Sequence, residues 1–280
     1  MYEYITALIS QLPFSWAQYA FMQNALLAVI VVVPLFSLLG AMVVNNQMAF
    51  FSDTLGHSAL TGIAIGVLAG VQNPTWSMLI FAIFIALIVT VIKDRTGSSA
   101  DTIIGAVSAT AVALGIVILS KGGGFARYSR YLVGDLLSIR PDEVAALSLV
   151  LVAVLVIWYI IFNKLLLVSI NSSLAGSRGF RVKLVESCFA ISLALVVTFT
   201  IQWIGILIIN ALLVLPAAAA RNVATGMKSY HLWVLFITAV CGISGLILSY
   251  YWDTATGATI VLLTALGYVF TLLLKQPNRL

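Results

Sequence analysis

The strongest restriction on this chain is the recurrence, almost from end to end, of uncharged apolar stretches long enough to cross a bilayer. A helix needs about 20 apolar residues to span the hydrocarbon core. Stretches of this kind occupy residues 21–44, 57–71, 74–92, 102–120, 144–168, 184–203, 205–220, 231–250 and 257–274. They predict about nine spans, or eight if one of the two short ones, the second or the seventh, does not cross. Only 8% of the residues are charged and 62% are hydrophobic, whereas a soluble domain carries roughly 25% charge. Too few charges remain to clothe a water-facing surface, so the expected fold is an all-α, polytopic membrane helical bundle of 8–9 transmembrane helices, a single domain over residues 1–280.

Basic side chains orient the spans, because they gather in short cytoplasmic loops. With nine spans and an inner C-terminus, the cytoplasmic face collects Lys93, Arg95, Lys164, Arg178, Arg181, Lys183, Arg221, Lys228, Lys275 and Arg279, and the outer face keeps Lys121, Arg127, Arg130 and Arg140. The N-terminus is therefore outside. Residues 1–20 have no basic leader and no small-residue cleavage site, so they do not read as a removable signal. Their Tyr2, Tyr4, Phe14, Trp16 and Tyr19 suit an interfacial segment at the lipid headgroups. The order Asn73-Pro74 reads as a turn followed by a helix start, and Lys121-Gly-Gly-Gly124 as a turn before the outer loop.

Several function classes are excluded by what the chain lacks. Cys188 and Cys241 stand alone in apolar helices, without the spacing of a disulfide framework or a thiolate metal site. The basic residues are scattered over separate loops and form no stripe with interleaved aromatics, which argues against nucleic acid. The chain has only two histidines, His57 and His231, and no His-Glu-x-x-His element, which argues against an intramembrane hydrolase. An ion-driven secondary carrier would be expected to show a repeat with matched broken helices, and none is visible. Gly226-Met-Lys-Ser229 ends like a phosphate-binding loop but lacks its first glycine. If ATP drives this protein, a separate chain binds it.

One polar island interrupts the apolar pattern: Phe51-Ser-Asp-Thr-Leu-Gly-His-Ser-Ala-Leu-Thr-Gly62. Asp53 and His57 are four residues apart, which on a helix places both on one face, about 6 Å apart along the axis. A carboxylate costs about 2.5–3.5 kcal/mol at mid-membrane even on the lenient scale. A helix cap could be supplied by an uncharged serine, and a passing dication would supply a reason for the charge. Oxygen and imidazole donors suit Zn(II), Mn(II) or Fe(II) better than Cu(I). The plainer reading makes Ser52 or Asp53 a helix cap and His57 an interior hydrogen-bond donor. Asp101 reads as a cap of the fourth span, Asp253 as the opening of the last, and Asn210 as an intramembrane amide that bonds across helices.

The longest charged inner segment is Asn171-Ser-Ser-Leu-Ala-Gly-Ser-Arg-Gly-Phe-Arg-Val-Lys-Leu-Val-Glu186. It begins with capping residues and carries a short apolar element, which fits either a solvated loop or a surface helix that docks on a cytoplasmic partner.

The order of these landmarks resembles the permease subunits of bacterial ATP-binding-cassette importers for zinc, manganese and iron. The resemblance runs from Met48 to Gly62 through Asp101-Thr-Ile-Ile-Gly105, Ala113-Leu-Gly115, Tyr131-Leu-Val-Gly-Asp135, Leu174-Ala175 to Gly179, and Gly205 through Pro216 to Arg221, to Asp253-Thr-Ala-Thr-Gly-Ala258. It implies the type II importer fold shared with cobalamin and siderophore importers, in the bacterial inner (plasma) membrane. It further implies a homodimer or a heterodimer with a paralogous permease, two cytoplasmic ABC ATPase subunits, and an extracytoplasmic metal-binding protein that delivers the ion. Asp53 and His57 would meet the transported divalent metal at the dimer interface, with no permanently bound cofactor. Residues 171–186 would hold the coupling segment, with Ser172, Leu174, Ala175 and Gly179 facing the ATPase. The alternative within the class is a permease for a metal chelate such as a siderophore, haem or cobalamin. Single cysteines introduced at Ser172 or Lys228 should react with a membrane-impermeant maleimide only from the cytoplasmic side; labelling of either in intact cells would reverse the orientation.

Overall fold

The computed structural model describes residues 2–71, 73–96, 99–122 and 134–275. Every regular element among them is helical: α1 (Tyr2–Ser10), α2 (Ala20–Asn45), α3 (Phe51–Leu68), α4 (Pro74–Thr96), α5 (Ala100–Gly122), α6 (Pro141–Ile170), α7 (Ser172–Ser177), α8 (Val182–Ile204), α9 (Ile206–Val223), α10 (Met227–Trp252) and α11 (Thr256–Leu273), with 3-10 turns at Ser15–Gln18 and Leu136–Ser138. The outer cations Arg127 and Arg130, the inner Arg279, and Tyr131, Leu132 and Val133 of the family pattern lie outside the described residues, as does the side chain of Lys121.

Seven of these helices, α2, α4, α5, α6, α8, α10 and α11, are long and apolar enough to cross a membrane. Each coincides with a predicted stretch. The two remaining stretches are the short ones, and they fall on α3 and α9. The second was placed at 57–71, but α3 begins at Phe51 and ends at Leu68. Ser52, Asp53 and Thr54 dilute the hydropathy of its first turn without breaking the helix.

Helix ends follow local chemistry. Pro74 takes the first position of α4, where its missing N–H costs nothing, and Asn73 Oδ1 accepts from the Thr75 amide at 3.0 Å. At the start of α5 the acceptor is Ser99, not Asp101: the Thr102 amide donates to Ser99 Oγ at 3.3 Å. Asp253 ends α10 in a left-handed conformation (φ 53°) and so closes one helix instead of opening the next, whose cap position is Ala255. Lys121 and Gly122, expected in a turn, still belong to α5.

The chain forms two compact units. One comprises Met1–Ala41, Val133–Leu151 and Trp203–Leu280. In it α9 and α11 run in the same direction, with Gly257 against Ile208 at one end and Asn222 Nδ2 donating to Thr271 Oγ1 at 3.3 Å at the other. Next to them lies α10, running the opposite way; its Gly245 admits the backbone of Ile260, and Ser249 shares a 2.9 Å hydrogen bond with Thr256. The break between α8 and α9 is built on Gly205 (φ 84°), against which the backbone of Gly134 (φ 71°) packs with no room for a side chain.

The other unit comprises Met42–Leu132 and Val152–Gln202. Here α3 packs on α4 through Gly62 and Gly66: a methyl group at Gly62 would lie 2.8 Å from the Ser77 carbonyl oxygen and 2.9 Å from Met78 Cα. Small residues four apart let two membrane helices approach closely, which is how helices associate where lipid removes the hydrophobic drive. On an adjoining face, Thr54 Oγ1 and Thr61 Oγ1 donate to the Ile104 and Ala111 carbonyls of α5, at 3.5 and 2.5 Å. Seven residues separate both the donors and the acceptors, so the two bonds set one register. Between α4 and α8 the ties are Gln202 Nε2 to Thr75 Oγ1 at 2.8 Å and Lys93 Nζ to Glu186 Oε1 at 3.0 Å. Start meets end in both, so α4 and α8 are antiparallel. Gly62→Val should force α3 off α4 and lower stability by about 1–3 kcal/mol, read as a drop in the unfolding temperature of the detergent-solubilised protein.

Candidate functional site

The cap position of α3 is Phe50, which offers no side-chain acceptor, and Asp53 sits in the first helical turn. A carboxylate there is favoured by the helix dipole, typically by about 0.3–1 kcal/mol. One turn on, His57 Nε2 lies 3.5 Å from Asp53 Oδ1. This i,i+4 geometry is what the spacing predicts.

What the packing adds is direction. At about 100° per residue, the Gly62 and Gly66 face that meets α4 lies roughly opposite the Asp53 and His57 face, and the threonine face that meets α5 lies between them. Phe51, Ser52, Thr54, Leu55, Gly56, Ser58 and Ala59 are all buried. Against this background the His57 and Asp53 side chains keep 27% and 33% of their surface open, and Leu60, one turn further, continues the same half-open stripe. The polar pair therefore occupies the uncovered edge of a stretch, residues 51–64, that is otherwise buried.

The donor set is one carboxylate and one imidazole, and no group of three or more acidic, histidine or cysteine side chains able to hold a metal occurs among the described residues. The 3.5 Å separation is close to the roughly 3.4 Å edge of a tetrahedron drawn with metal–ligand bonds of about 2.0–2.1 Å. Both side chains can thus reach one ion with small adjustments. Two donors hold a dication weakly and leave its other positions to water or to further ligands. His231, by contrast, directs Nδ1 at the Met227 carbonyl of its own helix, 2.9 Å away.

The segment after Ile170, expected on the inner side, forms α7, a six-residue helix closed at both ends. Asn171 Oδ1 accepts from the Leu174 amide at 2.9 Å. At the far end the Gly179 amide bonds the Gly176 carbonyl at 2.9 Å and the Phe180 amide bonds the Ala175 carbonyl at 3.2 Å, with Gly179 at φ 80°. This is a Schellman ending, which glycine adopts without strain. Ser172 and Gly179 are exposed, Leu174 is 43% exposed, and Ala175 is fully buried. Of the four residues assigned to partner contact, three face outward and Ala175 anchors the helix from below.

Beside α7 an open cleft of about 620 Å³ is lined by Asn45, Asn46 and Gln47 of the α2–α3 turn, Lys93 at the end of α4, Ser172 and Ser173 of α7, and Lys183 and Glu186 at the start of α8. Reading the sequence did not single out Lys93 with Glu186, or Thr54 and Thr61 with α5. The Gly62 to Gly66 spacing was the one local signal of the helix contact.

A set of membrane helices with a carboxylate–imidazole pair on an open edge and a capped surface helix fits a transport subunit. The profile of the ABC 3 transport family matches residues 18–275. The high-affinity zinc uptake system membrane protein ZnuB of Haemophilus influenzae is 32% identical, covering 90% of this chain and 97% of that protein. The manganese import system permease protein ScaB of Streptococcus parasanguinis is 28% identical, covering 94% and 93%. Among solved structures, PsaBC from Streptococcus pneumoniae in complex with Fab superposes with a TM-score of 0.77 at 26% identity, over 97% of this chain and 95% of that one. The chain belongs to the ABC 3 transport family, and it is a multi-pass membrane protein.

Replacing Thr61 with the isosteric valine deletes one inter-helix hydrogen bond and keeps the shape. The Ala111 carbonyl is also the acceptor of its own helix, so the loss should be only about 0.6 kcal/mol, well below that of the overpacked α3–α4 seam; unfolding of the two variants in the same detergent compares them.

Proposed function

We propose that this chain is the membrane permease subunit of an ATP-binding-cassette importer that carries a divalent transition metal, zinc or manganese with iron as a third candidate, into the cytoplasm. The observation that carries the reading is the Asp53–His57 pair, 3.5 Å apart on the open stripe of the otherwise buried first part of α3. Family membership and the zinc and manganese relatives point the same way.

In this reading a second permease, identical or paralogous, brings its own carboxylate and imidazole to the same ion. Two oxygen and two nitrogen donors then replace the ion's water, and the site stays weak enough to release it. The ion arrives from an extracytoplasmic binding protein. Cytoplasmic ATPase chains dock on α7, where Leu174 supplies an exposed apolar contact and Ala175 the anchor. Residues 1–280 act as one permease domain of the type II, cobalamin-importer-like kind, with residues 1–20 at the outer membrane surface.

Nine crossings fit the geometry better than seven. The ends of α2 and α4 line one cleft, which supports a crossing by α3 between them. The alignment of α9 with α11 from Ile208 beside Gly257 to Asn222 beside Thr271 supports reading α9 as a span too. If neither helix crossed, Arg221, Lys228, Lys275 and Arg279 would share a face with Lys121, Arg127, Arg130 and Arg140, and the clear charge asymmetry between the two faces would be lost.

Asp53→Asn preserves size and one acceptor but removes the charge that offsets a dication, so metal uptake should fall by at least about tenfold while assembly with the ATPase persists. His57→Ala should act similarly, and the double variant should be no worse than either, since ligands of one ion act as a unit. Metal accumulation measured by inductively coupled plasma analysis, with subunit stoichiometry as the control, tests this. Wild-type uptake by Asp53→Asn would reduce the pair to local helix chemistry.

A further inference from the structure

The surface helix and the ion pair lie on different helices of one unit, and a continuous set of contacts joins them. Residues 178–181 are all that separates α7 from α8. Glu186 stands one turn inside α8 and bonds Lys93, in the last turn of α4, at 3.0 Å, with side-chain exposures of 17% and 31%. From Lys93, α4 runs back to the seam where Ser77 and Met78 meet Gly62 and Gly66 of α3. The face of α3 away from that seam carries Asp53 and His57.

The two ties between α4 and α8 are not equivalent. Thr75 and Lys93 are 18 residues apart, about 27 Å along a helix, which is nearly the thickness of the hydrocarbon. The Thr75–Gln202 bond is neutral and lies far from α7. The Lys93–Glu186 bond is ionic, next to α7, and opens onto the cleft of about 620 Å³. That space lets the start of α8 move relative to α4 without collision. The charges also suit the antiparallel dipoles, a cation at the end of α4 and an anion near the start of α8. The pair is mostly buried, so reversing one charge leaves two like charges facing each other at this spot. A charged tie between α4, which packs on the helix of the metal pair, and the start of α8, four residues beyond α7, is suited to transmission.

Resting on the importer reading, we infer that Lys93 and Glu186 are positioning residues that transmit ATPase-driven movement of α7 and the start of α8 through α4 to α3, and so to Asp53 and His57. They touch neither ATP nor the metal. Their effect is on the ratio of metal moved to ATP hydrolysed.

The test is a charge swap in the complete importer, reconstituted in vesicles with its ATPase and binding protein, with uptake of Zn(II) or Mn(II) and ATP hydrolysis measured together. Lys93→Glu and Glu186→Lys should each assemble and hydrolyse ATP but lose metal moved per ATP by about tenfold. The double variant, which restores an opposite-charge pair in reversed order, should regain most of it. A pair that only stabilises the fold would lower assembly and thermal stability and leave the ratio unchanged. Normal ratios in both single variants, or an assembled double variant that stays uncoupled, would overturn the inference. Should a reversal block assembly, Lys93→Gln and Glu186→Gln are read by the same ratio, against Thr75→Val at the opposite tie as the control expected to transport normally. Wild-type complex that hydrolyses ATP without moving either metal would defeat the importer reading itself, separately from the role of the pair.

Discussion

Lipid gives neither water to unpaired backbone groups nor a hydrophobic reason for helices to cluster, so helices in a bilayer are held by close backbone approach and a few polar bonds. In this chain the arrangement turns on the seam between α3 and α4. Gly62 lies directly on the Ser77–Met78 backbone, and Gly66 makes room for the Ser77 side chain. Once that face of α3 is committed to α4 and the Thr54–Thr61 face to α5, the rotation of α3 about its own axis is decided. Asp53 and His57 are then on the edge that is left. The polar pair is open because the opposite face is made of glycine.

The same economy governs the inner end of this unit. Only six residues long, α7 could not persist as a free helix. Its side-chain cap at Asn171 and its glycine ending at Gly179 satisfy the end groups, and Ala175 supplies the buried contact. A short element fixed in this way passes displacement to the helix that follows it more faithfully than a loose loop would. Lys93 and Glu186 sit where that displacement would reach α4.

Spans are legible because composition and length leave few alternatives. Seven of nine predicted stretches coincide with helices fit to cross a membrane, and the other two fall on α3, whose first turn is polar, and on the shorter apolar helix α9. Errors collect at the boundaries. Asp101 and Asp253 were read as helix openings, but acidic residues near a helix start compete with serine for the cap, and an aspartate that tolerates a left-handed backbone can equally end a helix. The Asp53–His57 spacing was informative because i,i+4 geometry is a property of the helix alone. The long-range partners of Thr54, Thr61 and Glu186 were not legible, since 50 to 93 residues separate each from its partner.

By itself, then, the sequence determined that the chain lives in a membrane as a helical bundle and that Asp53 and His57 share one helix face, because both follow from local composition and the helical repeat. Which face of α3 is open and which helix ends share the inner cleft were decided only in the tertiary structure. Those depend on which backbones can approach most closely, and that is a property of pairs of helices, not of any single stretch of chain.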